Sequence, residues 1–370
     1  MGTAPPGETY NERGDGLPMI AGAGDYGERF PNPKKWTTAP VRTSQKGDLI
    51  ICVRATIGDL NWSDRKYCLG RGVAAIRPKR DQIDLSWLSH FINANRGDLA
   101  RRANGSTFPA IKREDLDDWA IPLPPLAEQK RIAAILDKAD AVRRKRRKAV
   151  ELASDLPRAV FIERFGDPLT NPKGLPIHEV GQHIAFLTSG SRGWAQHYAP
   201  AGPRFIRSLD VQMNRITDDD AVFVVPPAGT EAERTRVRPG DVLLTITGSC
   251  VGRVAPVPEA ISEAYVSQHV SILRLDGGVR PRFLSMFLSD PRGGQYQISR
   301  AQYGQTKPGL NLEQIRRFKF PYPTLAEQDR FMQLLDRADA LHNRNVSSVQ
   351  MADDLFNSLV QQAFGGNFDS

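Results

Sequence analysis

The chain has little of what most catalytic chemistry is built from. Its three cysteines, Cys52, Cys68 and Cys250, are odd in number and have no CxxC spacing. That argues against a disulfide framework or a cysteine zinc site and for reduced, structural thiols. The six histidines are scattered, and the proximity of His178 to His183 reads as coincidence rather than as a metal pair. No run of 18 apolar residues occurs and the N-terminus has no charged-then-apolar leader. Neither a membrane span nor a secretory signal is expected, and the expected compartment is the cytoplasm. No GxxxxGK[ST] loop is present, so no P-loop nucleotide motor is encoded. Gly22-Ala-Gly24-Asp-Tyr-Gly27 fits GxGxxG, but no strong strand precedes it, and Phe30-Pro31-Asn32-Pro33 stands where a helix should begin. Asp167-Pro168 and Asn171-Pro172 lack the second proline and the aromatic of an amino-methyltransferase loop. These absences favour a binding protein over an enzyme.

What the chain does have is a copy of itself. Residues 122–166 reappear at 321–365 with a constant offset of 199, no gap, and 18 identities in 45 pairs, where chance gives about one in 17. The clearest stretch is Pro122-Leu-Pro-Pro-Leu126-Ala-Glu-Gln129 against Pro321-Tyr-Pro-Thr-Leu325-Ala-Glu-Gln328. The same offset aligns Gly105-Ser-Thr107-Phe-Pro109 with Gly304-Gln-Thr306-Lys-Pro308. Further upstream the register drifts. Gly47-Asp-Leu-Ile-Ile51 with Ile57-Gly58 matches Gly240-Asp-Val-Leu-Leu244 with Val251-Gly252, and Tyr67 is aligned with Tyr265. A period near 200 means two whole modules, not a solenoid, and 370 residues suffice for two cores.

The matched segments read as long helices of about 30 residues, roughly 45 Å each. Steps of three and four run through Ile132, Ile135, Ala139, Val142, Arg146, Ala149, Ala153 and Leu156, and at +199 through Phe331, Leu334, Ala338, Leu341, Asn345, Ser348, Ala352 and Leu355. This is heptad spacing, and the two seams are expected to bury each other. Each helix opens in a Leu-Ala-Glu-Gln turn, whose acidic side chain suits the positive helix end. Each ends in Phe-Gly, at Phe165-Gly166 and Phe364-Gly365. Pro157 is expected to kink or end the first helix near Leu156. Arg146 and Asn345, the polar places the two seams share, are expected to fix register and pairing.

The segments ahead of the helices are different. Short apolar, β-branched runs such as Leu49–Val53, Val73–Ile76, Val222–Val225, Val242–Ile246 and Val270–Leu273 are punctuated by Gly, Pro, Asn and Asp, with helical pieces near Leu85–Arg102 and Phe283–Ile298. The pattern predicts α+β domains with small sheets and many loops, where recognition chemistry is usually carried. A net charge of +8 makes a polyanion a reasonable partner.

Two variable domains alternate with two long helices opening Pro-x-Pro-x-Leu-Ala-Glu-Gln. With Arg54-Ala-Thr-Ile-Gly58 and Gly70-Arg71-Gly72, the chain resembles the specificity subunit of type I restriction-modification enzymes. The resemblance implies target recognition domains at 1–121 and 167–320, each reading one part of a split double-stranded DNA site. It implies spacer helices at 122–166 and 321–370, paired as an antiparallel coiled coil. It also implies docking of two modification subunits, which carry S-adenosylmethionine, and through them a motor-nuclease restriction subunit. No catalytic residue, metal or cofactor is expected in this chain. The first domain has about half the N-terminal residues of its twin before the matching Gly16–Ile20 and Gly202–Ile206 stretches, as if shortened by a strand. Arg and Lys suit guanine or phosphate, and Gln suits adenine. The candidate DNA contacts are Arg54, Arg71, Arg101, Arg102, Lys112 and Arg113 in the first domain, and Arg192, Arg207, Arg253, Arg300, Gln305 and Lys307 in the second. Trp194 and Tyr303 could pack on sugar or base, with core the more frequent fate. The run Arg143–Lys148 wraps more than one helical turn, so it divides between a solvated face and contact with phosphate or an acidic partner. The second reading that stays open is the recognition half of a split or fused methyltransferase or nuclease; a third is a scaffold that does not bind DNA.

Overall fold

The computed structural model describes residues 1–78, 82–103, 109–302 and 309–365. Two compact units emerge, one of Met1–Lys148 with Val346–Ser370 and one of Ala149–Asn345. Each is α+β, and each takes part of both long helices.

In the first unit Leu49–Cys52 lies between Leu60–Trp62 and Val73–Ile76, antiparallel to both. Successive side chains of a strand point to opposite faces, and here both faces are covered. Leu49 and Ile51 join a core with Trp87, Phe91 and Leu136, while Ile50 and Cys52 join Ile20, Tyr67 and Leu69. That double burial is why the run is continuously apolar rather than alternating. Leu17–Ile20 pairs antiparallel with Lys35–Thr37 and parallel with Cys68–Leu69. The second unit repeats the plan. Val242–Thr245 sits between Val254–Pro256 and Val270–Leu275, with Val242 and Leu244 in one core and Leu243 in another. Tyr198–Ile206 runs parallel to Ala264–Val266.

The hydrogen-bond register corrects one alignment. Met19 pairs with Cys68 as Phe205 pairs with Tyr265, so Tyr265 takes the place of Cys68 and not of Tyr67. The second unit also has a strand, Ile184–Ser189, beside Val270–Leu275, with no counterpart among the described residues of the first. Where that strand ends, Gly190 N donates to Val270 O at 3.0 Å and Ser191 N to Val266 O; in the first unit Gly2 N and Thr3 N donate to Val73 O and Leu69 O, each at 2.9 Å.

The long helices are Leu126–Phe165 and Leu325–Phe364, 40 residues each. Pro157 does not end the first, which continues to Phe165; the proline only removes one N–H from the ladder. Gly166 then takes φ +80° and donates its N–H to Ile162 O at 2.8 Å, and a Cβ there would lie 2.8 Å from Pro172 Cγ. Within each unit the helix segments run antiparallel. In the second unit Phe161 and Phe165 pack with Phe331 and Phe283. In the first, Phe364 packs on Trp87 and Phe91, in the core that contains Leu136.

The heptad register is corrected by one residue in places. Ile132 packs against the first core, but Ile135 and Val142 are 39% and 49% exposed, and Leu136 is buried instead. In the second helix Phe331 and Ala338 are buried and Asn345 and Leu334 half-buried, whereas Leu341 and Leu355 face solvent. Arg146 is exposed. Its neighbour Arg147 reaches Asp353 at 3.0 Å, and Arg143 lies over the Phe356 ring at 4.1 Å. Ala139 and Leu156 are half-buried. The shift follows from 3.6 residues per turn: a strict 3.5 repeat drifts across a straight helix.

Candidate nucleic-acid interface

In both units the central strand, the parallel strand and the stretch before the short helix that precedes the long helix converge on one tight turn. In the first unit Val53 N donates to Gly72 O and Ile111 N to Val53 O, each at 2.9 Å, while Gly70 N donates to Ile20 O at 2.8 Å. In the second unit Ile246 N donates to His269 O and Leu310 N to Ile246 O, each at 2.8 Å, while Ser267 N donates to Ile206 O at 3.0 Å. The turn is closed by Val73 N to Gly70 O at 3.3 Å in one unit and by Val270 N to Ser267 O at 3.0 Å in the other. Gly70-Arg71-Gly72 and Ser267-Gln268-His269 are therefore the same element, with Arg71 and Gln268 both at the second turn position.

This framework gathers some of the candidate contacts and leaves others apart. Arg54 follows Val53 and bridges Ala110, beside the Gly70–Gly72 turn and the stretch leading to Lys112 and Arg113. Arg54 and Arg71 are exposed. Arg113 is held by Asp117 at 3.1 Å. In the second unit Ser191 O accepts from Gln268 N at 3.0 Å, which brings exposed Arg192 to the turn, and Ile206 does the same for Arg207. Arg207 is not a free cation, because its guanidinium binds Asp210 at 2.7 Å and Asp220 O at 2.9 Å. The hydrogen bond to Asp210 pushes its pKa up. Arg253 is half-buried at the start of Val254–Pro256. Arg300 lies over the Tyr296 ring at 5.5 Å on another helix. Arg101 is paired with Asp98, and Arg102 caps the same short helix. Gln305, Lys307 and Tyr303 lie outside the described residues. Trp194 is buried against Phe205 and Tyr265.

Three polar residues at the turn went unseen in the sequence. Thr247 Oγ1 and His269 Nδ1 are 2.5 Å apart, and His269 Nε2 is 3.1 Å from Gln268 Nε2. Thr247 stands where Arg54 stands, bridging Gly309 as Arg54 bridges Ala110. The alignment of Val73 with Val270 would have exposed them, but Tyr67 matched to Tyr265 put it one residue out.

His178 and His183 do meet. Their Nδ1 and Nε2 atoms are 2.9 Å apart and both rings stack on Tyr322. Among the described residues no three His, Cys, Asp or Glu gather as a metal set, and no helix is long and apolar enough to cross a membrane.

Residues 20–152 and 229–349 match the family described as type I restriction modification DNA specificity domain. The chain belongs to that family. It is a DNA specificity subunit of a type I restriction-modification system. The MjaX specificity subunit of Methanocaldococcus jannaschii is 35% identical over 156 residues, 41% of this chain and 37% of that relative. The EcoBI specificity subunit of Escherichia coli is 22% identical over 96% of this chain and 81% of its own length. The fold of this specificity subunit is that of the S subunit from M. genitalium, with a TM-score of 0.58 at 14% identity over 98% of this chain and 92% of that one. A structure solved for complex assembly of a type I system matches with a TM-score of 0.60 at 19% identity, over 96% and 97% of the two chains.

Proposed function

We propose that residues 1–121 and 167–320 are two target recognition domains, each reading one part of a split double-stranded DNA site through the rim around its Gly70–Gly72 or Ser267–His269 turn. The observation that carries this reading is that the family match falls once on each copy of the duplication, at 20–152 and at 229–349. On the rim, Arg54, Arg71 and Arg192 have no side-chain partner among the described residues, so their donors are available to phosphate or base edges. Lys112, Arg101, Arg102, Arg253, Arg300, Gln305 and Lys307 complete the proposed contact set. Arg113 and Arg207 would have to exchange a carboxylate for DNA.

The partners in this reading are two modification subunits, with S-adenosylmethionine on them, and a restriction subunit bound through the complex, in the cytoplasm. The exposed apolar side chains of the long helices, Ile135, Val142, Met351 and Leu355 in the first unit, suit protein docking. The test is to map methylated adenines in a methylation-free host supplied with this chain and its modification subunits. A single split motif is expected, absent when this chain is omitted. Methylation without this chain, or by this chain alone, would contradict the reading.

A further inference from the structure

The two units offer a controlled comparison, because one backbone framework carries two different side-chain sets. Framework positions keep their character: Ile20 and Ile206, Leu69 and Val266, Val73 and Val270 are apolar and buried. At the turn the chemistry changes from Gly-Arg-Gly to Ser-Gln-His, while the backbone hydrogen bonds that close the turn and tie it to the central and parallel strands are kept, and Gln268 N makes one more, to Ser191 O. A position at which the scaffold is held and only the donor and acceptor pattern changes is where two modules of one origin come to read different sequences.

Resting on the function proposed above, we infer that Gln268 and Arg71 are specificity-determining residues, Gln268 reading adenine in the second half-site and Arg71 reading guanine in the first. The Gln268 amide is prepared for the task. His269 Nδ1–H can donate to Thr247 Oγ1, which leaves Nε2 to accept one N–H of Gln268 and the amide's other N–H unused. Gln268 Oε1 is buried and has no hydrogen-bond partner. An unmet buried acceptor favours a reorientation of the amide, still held by His269 through one N–H, that turns Oε1 onto a donor. Adenine presents such a donor, N6–H, next to the N7 acceptor that the spare amide N–H can meet. Arg71 is exposed at the same turn position, and its fork matches guanine O6 and N7. His269 and Thr247 are positioning residues, acting through the amide they hold.

The test uses the assembled methyltransferase complex, with host genomic DNA as the probe and methylated motifs as the readout. Gln268→Ala should make one position of one half-site degenerate, with discrimination there falling about 10- to 100-fold, while the other half-site and the spacer stay unchanged. Arg71→Ala should do the same to the other half-site. Gln268→Glu keeps the shape and replaces the donor by an acceptor, so the preference at that position should move from adenine towards cytosine, whose N4–H donates. His269→Ala should weaken the same position and no other. A wild-type complex with a split motif that Gln268→Ala and Gln268→Glu leave intact would overturn this inference alone. A uniform loss of affinity with a flatter salt dependence would also overturn it, by showing a phosphate contact. A wild-type complex with no split motif would overturn the underlying function as well.

Discussion

Gln328 Oε1 accepts the backbone N–H of Arg280 at 2.8 Å, where the helix Pro281–Ser289 begins. Its twin in the duplication, Gln129, accepts the N–H of Asp84 at 2.8 Å, at the start of Leu85–Ala94. Both glutamines are fully buried, and each turns its amide nitrogen to the loop before its own helix, to Pro323 O at 3.0 Å and Pro124 O at 2.8 Å. One side chain thus ties the first turn of each long helix to the first turn of the domain helix beside it.

Replacing either glutamine by leucine strands a buried backbone N–H and a buried carbonyl. Such a loss costs about 1–3 kcal/mol for each group left unpaired. Denaturant unfolding should show Gln129→Leu as the more damaging variant, since Gln129 Nε2 also donates to Gln82 O at 2.9 Å. Equal and negligible shifts in midpoint would show that water replaces these bonds.

The central part of the helix pairing in the first unit rests on charge as well as apolar contact. Arg143 and Arg147 approach Asp353, at 3.8 and 3.0 Å, and Arg143 also covers Phe356. Asp353→Ala should destabilise by about 1 kcal/mol, a network effect at the upper end for partly exposed pairs, and the loss should shrink at high salt. Arg146→Leu should leave the midpoint unchanged, because that side chain faces solvent. A stabilising Arg146→Leu would restore the register read from the sequence.

In the second unit His183 is buried, with its ring on Tyr322 and His178, its Nδ1 3.9 Å from Asp276 Oδ1, and Phe320 against its edge. Burial pushes its pKa below the ordinary 6.5; Asp276 opposes this and His178 adds to it. The unfolded chain therefore binds the proton more readily than the folded one. Stability from this group is fully present above about pH 6.5 and is lost as pH falls through that value towards the folded pKa. Urea midpoints measured across this window should drop on the acid side, and His183→Gln should flatten the drop. An unchanged profile in the variant would assign the acid loss to other groups.

The duplication, the α+β class and the ends of the long helices were legible because they depend on local signals, namely repeated Pro-x-Pro-x-Leu-Ala-Glu-Gln, β-branched runs and Phe-Gly stops. The seam was legible only to within one residue. A strict heptad count placed Ile135, Val142, Leu341 and Leu355 inward, and it could not see that Phe356 and Asp353 draw Arg143 and Arg147 to the interface. Pro157 looked like a breaker, yet the packing of Phe161 and Phe165 keeps the helix going beyond it. The rim was half-legible. Arg54, Arg71 and Arg192 carry charge and stand out in sequence, whereas Thr247, Gln268 and His269 gain meaning only when strand pairing superposes the two turns.

The most direct test of the central claim is to exchange residues 1–121 for the corresponding domain of another specificity subunit and to map the methylated motif of the assembled complex. The prediction is that one half of the split motif changes to that of the donor while the other half stays as it was. A motif in which both halves change together, or neither does, would contradict the claim that each copy of the duplication reads its own part of the DNA site.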